Sequence, residues 1–175
     1  YKKRGLGMFV TEEAKQLINN NLARLTETDD TFFTNELILN HLLNQKYQIA
    51  KDHHICLSID CLIPSDTRLK TDIIAIIVGN LLDNSLAAVI RNQTRTEKKI
   101  NLIINLYQER LYIAIDNPFD PQEIQSRKQR YEDGLGLRNI QDIVRRYHGL
   151  YQQDIDGNLY KVTILFPHID SITHQ

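Results

Sequence analysis

The chain has 175 residues, 42% of them hydrophobic, and a formal net charge of -1 at pH 7, which suits one domain with its own core, or a domain plus a helical arm. Its basic residues are scattered rather than massed, which excludes the broad positive field of a nucleic-acid binder, so no nucleic-acid partner is expected. No apolar run approaches the roughly 18–20 residues needed to cross a bilayer, and no signal peptide precedes the first element.

The opening residues Tyr1-Lys2-Lys3-Arg4 lack an initiator methionine and read as the interior of something longer. From Thr11 to Leu25 a Thr-Glu-Glu start is followed by Ala14, Ile18, Leu22 and Leu25 on one stripe, which predicts an amphipathic helix. A second helix is predicted from the spacing of Leu37, Leu39, Leu42, Leu43, Tyr47 and Ala50, ending at Asp52-His53-His54. Ile55 to Ile59 alternates as a strand, closed by Pro64-Ser65-Asp66. Cys56 and Cys61 match neither a CxxC zinc pair nor a disulfide framework, so both are expected to be reduced and partly buried, a usage that suits the cytoplasm.

Thr71 to Ile90 carries the longest helical pattern, with Asp72 in its first turn; Ile76, Ile77, Leu81 and Leu82 imply a largely buried helix. Lys99 to Leu106 and Leu111 to Asp116 then read as a hairpin. Asn117 to Asp133 is a polar, proline-bearing stretch of the length usual for a functional loop and reads as a lid. Leu137 to Tyr147 returns to helix and stops at His148-Gly149, after which Leu150 to Asp154 and Leu159 to Phe166 flank the turn Asp156-Gly157-Asn158. This order predicts an α+β fold, a two-layer α/β sandwich with helices on one face of a mixed, largely antiparallel sheet, plus an N-terminal helical arm.

Two stretches carry chemistry. In Gly79-Asn80-Leu81-Leu82-Asp83-Asn84-Ser85-Leu86-Ala87-Ala88, Asn80 and Asn84 share one helix face with Ala87 beside them. Asparagine is a poor residue for a helix interior, so these amides need partners, either neighbouring backbone or a hard cation such as Mg²⁺. In Tyr131-Glu132-Asp133-Gly134-Leu135-Gly136-Leu137-Arg138-Asn139-Ile140, two glycines stand at the mouth of a helix. They form either a plain turn or a backbone cradle for phosphate at the positive helix end.

GNLLDNSLAA followed about 50 residues later by DGLGLRNI resembles the ATP-binding catalytic domain of bacterial sensor histidine kinases, in the superfamily that includes gyrase, the heat-shock chaperone ATPases and the mismatch-repair ATPases. The likeness runs from about Phe33 to Pro167 and is strongest to the quorum-sensing peptide-receptor subgroup. It implies an enzyme that binds ATP and Mg²⁺, with Asn84 as the magnesium ligand, Asn80 and Asn84 as the catalytic pair, and Asp83, Ala87, Gly134, Leu135, Gly136, Leu137, Arg138 and Lys128 around the nucleotide. Lys128, Arg130 and Arg138 are cations near or within the lid that can meet phosphate oxygens or simply face solvent. The usual adenine-reading DxGxG turn is absent. In Asp116-Asn117-Pro118-Phe119 the strand alternation places Asn117 at the adenine position, with Asp116 the alternative one register off.

Hydrolytic relatives carry a glutamate four residues before the magnesium asparagine, whereas this chain has Asn80 there, which cannot take a proton. The resemblance therefore implies phosphoryl transfer to a histidine. None of His41, His53, His54 and His148 stands where the family's acceptor does, so the acceptor is expected upstream. The layout expected is a helical arm or linker over 1–32, ending an upstream dimerisation region, a catalytic domain over 33–167 and a tail over 168–175. The resemblance further implies a two-component partner, the response regulator, and a cytoplasmic domain of a membrane-anchored homodimeric receptor. Two other readings stay open: a protein-interaction domain of this fold without nucleotide binding, and a protein-serine kinase of the anti-sigma-factor type.

Overall fold

The computed structural model describes residues 31–64, 71–92, 98–120 and 135–168. The chain divides into two units, 1–31 and 32–175; the helix expected at Thr11–Leu25, most of the expected lid and all but His168 of the expected tail lie outside the described residues. The elements are α1 (Leu37–Asp52), β1 (Cys56–Leu62), α2 (Thr71–Arg91), β2 (Lys99–Tyr107), β3 (Arg110–Pro118), α3 (Leu135–Arg146), β4 (Leu150–Asp156) and β5 (Leu159–Phe166).

Strand alternation decides how these elements stack. In β2, Ile100, Leu102, Ile104 and Leu106 are buried, as are Leu111, Ile113 and Ile115 in β3 and Val162, Ile164 and Phe166 in β5. All ten join one core with Leu39 and Leu43 of α1, Ile77, Leu81 and Leu82 of α2, and Ile140 and Val144 of α3. The strands run in the order β1-β2-β3-β5-β4, with β1 parallel to β2 and every other pairing antiparallel. This is the expected two-layer arrangement, a mixed sheet with helices on one face. Burying each Leu or Ile stabilises the fold by about 1.5–3 kcal/mol, so this single apolar layer is the dominant favourable term.

Two expectations are corrected here. Asp72–Arg91, 20 residues with a mean hydropathy of 2.0, is long and apolar enough by composition to cross a bilayer. Its apolarity is spent on the core, where Ile74, Ile77, Val78, Leu81, Leu82, Leu86 and Val89 are all buried. Cys56, expected to be partly buried, is exposed, and Cys61 is half-buried; both thiols are free. They are an odd number of residues apart on one strand, so they stand on opposite faces, and only Cys61 packs against the core.

The connections are tight. Gln108 (φ 48°) and Glu109 (φ 63°) form a two-residue turn between β2 and β3, both in the left-handed region without being glycine, while Gly157 (φ 58°) serves the β4–β5 turn. Both α1 and α3 end on a left-handed histidine, His54 (φ 55°) and His148 (φ 54°). In each case the next N–H reaches back into the helix: Ile55 to the Ala50 carbonyl and Gly149 to the Val144 carbonyl, both at 2.8 Å. Gly149 is required by packing, since a Cβ there would lie 2.8 Å from the Phe166 ring and 2.9 Å from Val144 Cγ1.

Ahead of α1 the chain is pinned by side chains. Asn40 Oδ1 accepts the N–H groups of Phe33 at 2.9 Å and Thr34 at 3.3 Å, and Thr34 Oγ1 accepts the Glu36 N–H at 3.3 Å. The Phe33 ring packs on Tyr47 at 5.7 Å. Burial pushes the Cys61 thiol up to about 11, against an opposing hydrogen bond with Thr34.

Two outcomes follow. Gly149→Ala is expected to destabilise the fold by about 1–3 kcal/mol, because the new methyl overlaps ring and isopropyl carbons; the check is a lower urea midpoint at unchanged m-value. At pH 8, iodoacetamide is expected to alkylate Cys56 readily and Cys61 only slowly, since the thiolate is the nucleophile. Mass spectrometry of timed samples reads this directly, and adding urea should equalise the two rates.

Candidate nucleotide and metal site

Helical spacing places Ile76, Asn80, Asn84 and Ala87 on one outward stripe of α2. Ile76, expected to be buried, is 50% exposed because it belongs to this stripe rather than to the core face. Ser85, one residue on, is buried. The two amides resolve differently. Asn80 Nδ2 donates to the Ile76 carbonyl at 2.8 Å, the backbone partner that a helical asparagine can find for itself. Asn84 Nδ2 is buried and has no hydrogen-bond partner among the described residues. An orphaned buried amide costs about 1–3 kcal/mol, so its retention needs a cause outside the packing.

The first turn of α3 meets this stripe. A Cβ built on Gly136 would lie 3.1 Å from Asn80 Oδ1 and 3.4 Å from Asn84 Nδ2. The absent side chain thus relieves crowding against Asn80 where the start of α3 meets the two amides, and the two sequence-distant motifs share one place. Backbone N–H groups in a first helical turn lack intrahelical partners, and they lie at the positive end of the helix dipole. No acidic residue stands in that turn of α3 to occupy them. An amide nitrogen without a hydrogen-bond partner beside the first turn of a helix suits an anion paired with a hard cation. An asparagine amide can turn about its terminal bond, so the position of Asn84 Nδ2 can equally present the carbonyl oxygen, a hard ligand. Among the described residues there is no cluster of three or more His, Cys, Asp or Glu side chains able to hold a metal; the hard donor that the described residues of this stripe offer is amide oxygen.

The remaining expected residues are placed as follows. Leu135 opens α3, Leu137 packs against the core, Arg138 is exposed and Ala87 is half-buried on the stripe. Gly134 and Lys128 lie outside the described residues, as does Arg130. Asp83 stands off the pair: its carboxylate meets Lys46 Nζ of α1 at 2.5 Å, with the lysine side chain 15% exposed and the aspartate 62%. Exposure and screening make that pair worth little in stability, but it turns Asp83 toward α1.

The strand-end alternatives separate by face. Asn117 follows Leu111, Ile113 and Ile115 on the helix side of β3; it is 2% exposed, and its Nδ2 donates to the Pro118 carbonyl at 3.0 Å, leaving Oδ1 as the acceptor the amide offers. Asp116 points to the opposite face, where it accepts a hydrogen bond from its ladder partner Asn101 at 2.7 Å. Among the described residues, His41, His53, His54 and His148 are all exposed, three of them at helix ends.

Neighbours that sequence reasoning missed are Lys46, Phe119 and Tyr160. Phe119 is buried and meets Tyr160 edge-on, with ring centroids 6.3 Å apart. Tyr160 is the ladder partner of Asn117, so pairing the two hairpins in register is the signal that finds it. Burial raises the Tyr151 phenol nearby, against hydrogen bonds with Gln153, Gln141 and Tyr160.

Fold and site together define a class: residues 69–167 match the GHKL domain family model, and the chain belongs to that family. Solved structures share its fold. The histidine kinase domain of the blue-light activated histidine kinase EL346 from Erythrobacter litoralis aligns over 93% of this chain and 76% of that one, with a TM-score of 0.59 and 16% identity. The Acinetobacter baumannii histidine kinase AdeS aligns over 89% and 78%, with a TM-score of 0.55 and 15% identity. The catalytic domain of the histidine kinase ThkA, in a nucleotide-free form, aligns over 74% and 90%, with a TM-score of 0.53 and 14% identity. No curated protein sequence matches the chain.

Asn84→Leu, which removes the orphaned amide at similar volume, is expected to stabilise the fold by about 1 kcal/mol, read as a raised urea midpoint at unchanged m-value.

Proposed function

We propose that the chain is the ATP-binding catalytic domain of a two-component sensor histidine kinase, moving the terminal phosphoryl group of ATP to a histidine upstream. The observation that carries this reading is the seating of Gly136 against Asn80 and the unpartnered Asn84 amide. Family membership and the likeness to histidine kinase catalytic domains support it. The layout that goes with it is an arm over 1–32 ending a dimerisation region and a catalytic domain over 33–167, in a membrane-anchored homodimeric receptor of the peptide-sensing subgroup that serves a response regulator.

In this reading Asn84 holds Mg²⁺ through its amide oxygen, and Asn80, fixed by its bond to Ile76, sits beside it. Bound Mg-ATP supplies the transferable phosphoryl group, with the metal offsetting phosphate charge. The N–H groups opening α3 receive phosphate oxygens, and the absent Gly136 side chain keeps that approach open. Asn117 accepts from the adenine amino group through Oδ1. Asn80 has no basic atom with which to activate water, so transfer is favoured over hydrolysis.

A second reading, an interaction module without nucleotide binding, draws on Phe119, a buried aromatic ring where the kinases this chain resembles have glycine. Titration with Mg-ATP separates the two. Binding is expected in the unmodified chain, lost in Asn84→Ala and weakened about tenfold in Asn80→Ala, as one lost interaction of about 1.4 kcal/mol gives. Retention of full affinity in Asn84→Ala removes the metal assignment, and absence of binding in the unmodified chain selects the module. With the upstream helix and labelled ATP added, an acid-labile product identifies phosphohistidine, whereas an acid-stable one points to serine.

A further inference from the structure

The helix side of the sheet changes character beyond α3. Tyr160 lies on that side, packed against the core, with Asn117 as its ladder partner in β3 and Ile155 as its partner in β4. Partners directly opposite in an antiparallel ladder have Cβ atoms about 4.5–5.5 Å apart, so the three side chains form one row. At one end Asn117 is 2% exposed; at the other Ile155, an apolar side chain on the same face, is 57% exposed. The row therefore runs from an enclosed amide out to an uncovered apolar surface, the profile of a ledge for a planar apolar ligand with one polar edge.

The aromatic part of the ledge has defined partners on both sides. Phe119 meets Tyr160 edge-on at an interplanar angle of 74°, and its N–H donates to the Asn158 carbonyl at 3.0 Å. Gln153 Nε2 donates to the Tyr160 hydroxyl at 2.7 Å and to the Tyr151 hydroxyl at 2.6 Å. The hydroxyl of Tyr160 is thus directed toward β4, away from Asn117, and the phenol contributes its ring rather than its polar atom. Neither ring belongs to the glycine and asparagine motifs.

We infer that the Phe119–Tyr160 pair is the wall against which a purine base packs while Asn117 reads its edge, and that Gln153 is a positioning residue that fixes this wall through the Tyr160 hydroxyl. The inference rests on the ATP-binding reading and adds the determinant of base affinity. Stacking of a base on an aromatic side chain is sequence-tolerant, because every base has a π-face. The wall therefore supplies affinity for purines in general, and discrimination between adenine and guanine falls to Asn117.

The test is calorimetric titration of the unmodified chain, Tyr160→Ala, Tyr160→Phe and Gln153→Ala with Mg-ATP and, separately, Mg-tripolyphosphate, which lacks the base. Tyr160→Ala is expected to lose about tenfold or more in ATP affinity at unchanged tripolyphosphate affinity. Tyr160→Phe should stay within about threefold of the unmodified chain, because the ring remains; Gln153→Ala should fall between. Unchanged ATP affinity in Tyr160→Ala, or a parallel loss for both ligands, overturns the inference and leaves the ATP-binding reading standing. Failure of the unmodified chain to bind either ligand overturns both. If Tyr160→Ala does not fold, saturation transfer in the unmodified chain decides: irradiating protein aromatic protons should attenuate the purine H2 and H8 signals of ATP, and no attenuation refutes the wall.

Discussion

The arrangement depends on how closely the backbone at Gly136 approaches Asn80 and Asn84. A methyl group there would crowd the Asn80 oxygen at 3.1 Å and touch the Asn84 nitrogen at an ordinary 3.4 Å, so the absent side chain leaves this approach uncrowded. That contact joins the start of α3 to the middle of α2, elements separated in sequence by a whole hairpin. It turns two unremarkable motifs into a single polar locus on a fold whose helices pack on the sheet through apolar side chains.

The magnitudes explain how the fold tolerates this locus. An unsatisfied buried amide costs about 1–3 kcal/mol, a real fraction of the 5–15 kcal/mol net stability of an ordinary domain. The opposite side of α2 offsets it with seven buried aliphatic side chains, each contributing about 1.5–3 kcal/mol. One helix therefore carries both the apolar stripe packed on the core and the polar stripe beside α3, the two divided by the 3.6-residue period.

Much of this was legible in the sequence. The order of elements, the two hairpins and the stripe joining Asn80 to Asn84 follow from periodicity, and strand alternation sufficed to put Asn117 on the helix side and Asp116 opposite. What escaped depends on tertiary partners that no local period encodes. Ile76 looks like core until the outward stripe is seen to begin one turn before Asn80. Asp83 looks like part of the polar locus until Lys46 claims it from α1. Cys56 and Cys61 look equivalent until the strand's two faces are known to have unequal cover. Phe119 and Tyr160 are near each other only because β3 and β5, far apart in the chain, are ladder neighbours.

The parallel pairing of β1 with β2 carries a consequence for the way the chain assembles. Antiparallel hairpins close over short loops, so β2–β3 and β4–β5 are able to form early and locally. A parallel neighbour must wait for its crossover, here α2, to traverse the sheet. Contacts of long sequence separation form late because loop closure must precede them. The α1–β1 segment is accordingly the last part expected to be secured, and the polar locus on α2 matures together with the crossover that carries it.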